Sequence, residues 1–435
     1  MALLSLRLLP KHVLKTSGAY YHYRQLISLD DLKIEHFESL RDEALKSLNR
    51  KTVRLFFHEA THWLDHVSTL WGQRHLVLIF NAINSRLNNN EHEFWRIATM
   101  NTETRRIHYP AYYSTNPNKD ETSWKKRPWR VSMTSGRQFD IDGRPRKNKP
   151  IAFYNFTNAS GEFLCRTPFS VAALLESNAT TAEVWLDINY LAGLSETELL
   201  FEGPLLDKEA EARIYDPRLT EYSVAAHLVS NKLNIPDTFS AYRIASILGT
   251  LALNLPRALF RRIRQPPQIN FSDVGFKPYV QGYDRGFAFI ALVMHAPPID
   301  FTPLRGPALE DWINKTLANA GLPNLNQLRA AAEQEQTALV SEIHPGPETG
   351  RLHDLLSAGR RLFNRRGMYG GDIVFAPLIR GNTVVDVPPV YLGDDKFVQI
   401  GEPCAEESLR DPGNWIHRIY RYEEQLDEFL AACLP

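Results

Sequence analysis

From Thr52 to Leu87 the chain contains no proline, and its polar residues recur at helical spacing. Residues four apart share a helix face. His58, Thr61, His62, Asp65, Thr69 and Gln73 therefore fall on or near one stripe, with Trp63, Leu64, Val67, Leu70 and Trp71 opposite. The pattern predicts one long helix over 52–87, apolar toward a core and polar toward a cleft.

That stripe contains His58-Glu59-Ala60-Thr61-His62, which reads H-E-x-x-H. With Glu at roughly 6% and His at roughly 3% of residues, about 0.03 chance matches are expected, so the motif carries weight. His58 and His62 can offer two imidazole nitrogens to one metal ion. Glu59 stands where it can hold a water and take its proton, the arrangement used for zinc-dependent peptide hydrolysis. The competing reading is an amphipathic helix with a solvated, histidine-rich face. His66 continues the series but lies roughly 12 Å from His58 along the axis, too far to share an ion whose bonds are about 2 Å. The metzincin pattern fails as well, because Asp65 occupies its glycine position and Ser68 its third-histidine position.

A catalytic zinc takes three protein ligands and keeps one open position. The expected third ligand lies on a second helix, Phe169 to Trp185, where Glu176 and Glu183 share a face among Ala172, Ala173, Ala179 and Thr180. Small residues let that face approach an ion held by another helix, while Leu174 and Trp185 point to a core. Glu176 is the expected ligand. Asp65 and Glu183 are candidates to accept the second ring N–H of a metal-bound histidine and so fix its orientation. Both glutamates could instead be ordinary helix-surface residues.

These residues resemble the gluzincin-type metallopeptidases, in particular a bacterial group with H-E-x-x-H-aromatic-Leu-acid-or-amide followed far downstream by Leu-Leu-Glu-x-x-Ala-x-x-x-Glu. Here the two stretches are His58 to Asp65 and Leu174 to Glu183. The resemblance covers two helices. It implies a zincin-like core, Zn2+ on His58, His62 and Glu176, Glu59 as general base, and a peptide or protein substrate that the motif does not specify.

Fifty basic and fifty acidic residues balance to zero net charge, which gives no case for a nucleic-acid or membrane-surface binder. Basic clusters at Arg257, Arg261, Arg262 and Arg264, at Lys125 to Arg127, and at Arg360, Arg361, Arg365 and Arg366 read as solvated faces or contacts to acidic groups. Cys165, Cys404 and Cys433 are odd in number and far apart, so no disulfide framework is expected and a reducing, cytoplasmic compartment fits. Met1 to Pro10 lacks the features of a signal peptide, and no apolar run of membrane-spanning length occurs. Asn178-Ala179-Thr180 matches a glycosylation sequon, but a glycan there would obstruct Glu176.

The remaining pattern predicts an α+β, predominantly α protein. Residues 1–215 form the expected zincin-like catalytic region, with a polar loop-and-strand insertion at about 88–160 and a turn at Asp142-Gly143. Residues 216–435 form a mostly helical region that completes the cleft or binds a partner. Helices are expected over 220–233, 238–264, 282–294, 307–321, 325–342, 350–366 and about 405–433, with extended chain over 370–403, including Val384 to Val387 and Phe397 to Ile400. Tyr222, His227, Tyr279, Tyr283 and His295 are the candidates for a donor to a developing oxyanion. A catalytically silent zincin scaffold with a regulatory or interaction role remains the alternative, against which stands Glu59, since a binding-only site needs ligands but no base.

Overall fold

The computed structural model describes residues 18–35, 50–117, 120–140, 142–266, 269, 275–299, 305–370, 387–400 and 403–433. These residues are predominantly helical with two small sheets, an α+β, mostly α composition. They make two compact units: residues up to 108 with 335–367 and 387–433, and residues 109–334 with 368–370. Among them no helix is long and apolar enough to cross a membrane.

In the first unit, Ala19–Tyr21 pairs antiparallel with Leu26–Leu29, which pairs in parallel with Val390–Leu392, and Phe397–Val398 closes the sheet. Leu26, Ile27, Leu29, Val390 and Leu392 are buried, so apolar burial joins the two ends of the chain. Val387 is buried; positions 384–386 of the expected extended stretch lie outside the described residues.

Two helices, Arg50–Ser68 and Leu70–Leu87, replace the single helix expected over 52–87. The break is at Thr69, which is extended (φ −82°, ψ 154°) and caps the second helix by accepting the Gly72 N–H at 3.1 Å. Gly72 makes the turn possible, because a Cβ there would lie 2.0 Å from the His66 carbonyl oxygen. Thr69 and Gln73 thus leave the His58 stripe. The helix Thr349–Arg366 packs on both. Its Gly359 meets Val67, whose carbonyl oxygen would be 2.2 Å from an added Cβ. The helix Pro412–Cys433, which begins later than the expected residue 405, is anchored by Trp415. That ring stacks on Phe80 at 5.8 Å and donates its N–H to the Arg24 carbonyl at 2.6 Å.

In the second unit, Arg130–Phe139, Pro145–Thr157 and Phe163–Pro168 form an antiparallel sheet. The Asp142-Gly143 turn is present, with Gly143 at φ 75°. The helices Val171–Ala192, Thr220–Leu233, Thr238–Leu253 and Arg285–His295 pack together as its core. The helix expected over 238–264 stops at Leu253. Pro256 lacks an N–H and disfavours helical geometry at Leu255, and the chain resumes as a 3-10 turn at Arg257–Arg262. Gly306–Asn319, Leu325–Leu339 and Thr349–Arg366 match expectation closely.

Two organisational expectations differ from the structure. The stretch 88–160 is not one insertion: the helix Trp95–Thr104 belongs to the first unit and the two strands to the second. Nor does the second unit divide near 215. A helix not expected from sequence, Glu196–Ile214, opens with a Ser195–Glu198 capping box and continues to that point. Across it, His227 donates its ring N–H to the Ile214 carbonyl at 2.7 Å and stacks on Trp129 at 5.6 Å.

Candidate metal centre

The helix Arg50–Ser68 is buried from Phe56 to Ser68. His58 and His62 lie one turn apart on it, with Nε2 atoms 3.2 Å apart and ring planes at 83°. Two nitrogens bound tetrahedrally at about 2.05 Å would stand about 3.3 Å apart. The pair is therefore already spaced for one ion. Thr61 turns its hydroxyl to the Phe57 carbonyl at 2.6 Å, leaving the stripe to the imidazoles. Glu59 is 6% exposed.

Glu176 lies on the helix Val171–Ala192, which starts where Ser170 accepts the Ala173 N–H at 3.3 Å. Ala172, Ala173 and Ala179 are buried around it, as their size predicts. His58 and His62 lie in the first unit and Glu176 in the second. All three side chains are at most 9% exposed. Two imidazoles and a carboxylate are a donor set suited to zinc and its first-row neighbours.

The carboxylates proposed to orient the histidines have strong partners of their own. Asp65, 0% exposed, forms an ion pair with Arg366, itself buried. Arg366 thereby leaves the set of solvated basic residues, and its neighbour Arg361 pairs with Glu406. Glu183 accepts from Arg213 at 2.7 Å, and the same guanidinium reaches Asp187 at 3.7 Å.

His66 is not a ligand but part of a buried chain. Tyr20 Oη meets His66 Nδ1 at 2.7 Å, His66 Nε2 meets His75 Nδ1 at 3.0 Å, and His75 Nε2 meets Thr104 Oγ1 at 3.0 Å. Burial pushes the His66 ring well below the usual histidine range and His75 down to about 3, so both are neutral. His75 carried no motif in the sequence, and only tertiary packing reveals it.

The oxyanion candidates divide. His227 is committed to Ile214 and pushed down to about 4 by burial. Tyr279 is buried against Phe287 at 5.0 Å. His295 meets the Arg264 carbonyl at 3.3 Å, and Tyr283 packs edge-on to Phe260. Tyr222 carries its partner's hydroxyl on its backbone, the Tyr242 Oη at 3.3 Å. The sequon asparagine, Asn178, is 2% exposed and reaches Thr250 at 3.4 Å, a position no glycan could occupy. The three cysteines are free thiols.

Compared with protein-family models, with curated proteins and with solved structures, the chain matches none of them.

Proposed function

We propose that this chain is a zinc-dependent metallopeptidase of gluzincin type, with a zincin-like core, in which His58, His62 and Glu176 hold Zn2+ and Glu59 is the general base. The observation that carries the reading is the buried H-E-x-x-H helix, whose two imidazoles stand 3.2 Å apart at Nε2; the buried Glu176 is the expected third ligand. A zinc ion bound there polarises a carbonyl and lowers the pKa of water toward about 7. Glu59 accepts a proton as water attacks the peptide carbonyl and delivers it to the departing amine, so its carboxylate ends the cycle as it began. The substrate is a peptide or protein segment. The balanced charge and the free cysteines fit a protein of the bacterial cytoplasm.

The test is hydrolysis of a fluorogenic peptide library by wild type and Glu59→Gln, each loaded with zinc. The reading expects turnover in wild type and a loss of about 10²-fold or more in the variant at equal zinc content. Equal turnover in both, or a wild type inert across the library, would assign the site to metal binding in a regulatory scaffold instead.

A further inference from the structure

The helix Leu70–Leu87 carries Asn81 and Asn84, its C-cap Asn88 follows, and all three clasp the segment 342–348. Asn81 donates to the Glu342 carbonyl at 2.8 Å and accepts the His344 N–H at 2.7 Å. Asn84 donates to the His344 carbonyl at 2.9 Å and accepts the Glu348 N–H at 3.0 Å, and Asn88 donates to the Pro345 carbonyl at 2.8 Å. Gly346 allows the close approach, since a Cβ there would stand 2.5 Å from the Asn84 Cβ. A loop whose backbone is held this fully is preorganised, and preorganisation lowers the cost of binding.

Beside this loop lies a cavity of about 510 Å³ within the first unit, a size typical of ligand sites. Its walls include Arg74, Val77, Trp95, Arg96, Ile343 and His344. Two lining nitrogens, Arg74 Nε and His344 Nε2, are buried without a hydrogen-bond partner among the described residues. Buried polar atoms are normally paired, so two such atoms in one cavity need a reason. Trp95 adds an indole that is 55% exposed.

We propose that this cavity is a second binding site, independent of the metal centre, and that its ligand is an uncharged peptide segment carrying an apolar side chain. Charge excludes the ionic alternatives. Arg74 is already held by Glu335 at 3.0 Å and Glu342 at 2.9 Å, and Arg96 by Glu93 at 2.6 Å. A phosphate or polycarboxylate would find both guanidiniums already paired and the Glu342 carboxylate in the wall, and a polycation would meet the two guanidiniums. The two unpartnered nitrogens favour a peptide group. Arg74 Nε–H can only donate, and neutral His344 can accept, which matches the C=O and N–H of one amide. Burial, and next the Arg96 charge, hold His344 below its usual range. Val77, Ile343 and Trp95 supply the apolar wall, with the Arg96 guanidinium 4.5 Å over the Trp95 ring.

The test uses the full chain labelled with 5-fluorotryptophan, its Trp95 resonance assigned through Trp95→Phe. The probes are N-acetylleucinamide, its free acid N-acetylleucine, and methyl glucoside. The proposal expects a saturable shift of the Trp95 signal with the amide and a weaker response to the other two. Affinity for the amide should fall about ten-fold in His344→Ala and in Arg74→Lys. Arg74→Lys keeps the charge opposite Glu335 and Glu342 while removing the Nε donor, and unchanged signals from the other tryptophans report an intact fold in either variant. No saturable shift with the amide, a stronger response to the acid or the glucoside, or undiminished affinity in both variants overturns the proposal.

Discussion

The buried histidine chain makes the first unit sensitive to acid, and His75 gives the size of the effect. His75 is 3% exposed, stacks on Trp71 at 5.7 Å and shares its two ring nitrogens with His66 and Thr104. Burial pushes it down to about 3, whereas the unfolded chain binds that proton near the ordinary histidine value of about 6.5. Between those values the unfolded state holds more protons than the folded one. The stabilisation is therefore complete above about pH 6.5 and lost as pH falls toward 3. At about pH 5 the gap is roughly 1.5 units, so His75 alone costs about 2 kcal/mol of stability. His66, lowered in the same direction by burial, His22 and His75, adds to it. The assay is urea unfolding by tryptophan fluorescence at about pH 7.5 and about pH 5, in chelator, for wild type and His75→Phe. The variant carries a constant offset from the lost hydrogen bonds, but the pH-dependent loss should be about 2 kcal/mol smaller than in wild type. Equal losses in the two proteins would refute the argument.

Other consequences follow from particular contacts. Arg366→Met leaves Asp65 charged and fully buried, and should destabilise by about 3–5 kcal/mol in the same unfolding assay. Restoring packing with the double change Asp65→Leu and Arg366→Met should recover much of that loss. Thr69→Ala removes the side-chain acceptor for Gly72 and should cost about 1 kcal/mol. Gly72→Ala should be far more damaging, because its Cβ would lie on the His66 carbonyl, and the measurement is soluble yield alongside the unfolding midpoint.

The histidine spacing was legible because it is local: helix geometry alone brings His58 and His62 to one side, and the structure puts their Nε2 atoms 3.2 Å apart. Helices whose apolar faces are buried as their period demands, such as Thr220–Leu233, were legible for the same reason. What was hidden depends on distant chain. The break at Thr69 contains no proline, and the need for Gly72 arises only where it meets His66. Asp65 pairs with Arg366, three hundred residues away in sequence, a contact that local spacing does not reveal. The helix Glu196–Ile214 was masked by Gly203-Pro204, which reads as a breaker, and by an apolar set that is not buried: Leu200 is 75% and Phe201 72% exposed. His75 and His344 carry no motif, and only packing gives them roles.

The central claim is a metal held by His58, His62 and Glu176, and zinc content tests it most directly. Purified wild type, His62→Ala and Glu176→Ala would be supplied with zinc, desalted and analysed by elemental mass spectrometry. The account predicts about one equivalent in wild type and a large loss in both variants, as expected when one of three protein ligands is removed. Full retention of zinc in Glu176→Ala would displace that residue as third ligand, and no zinc in wild type would contradict the account as a whole.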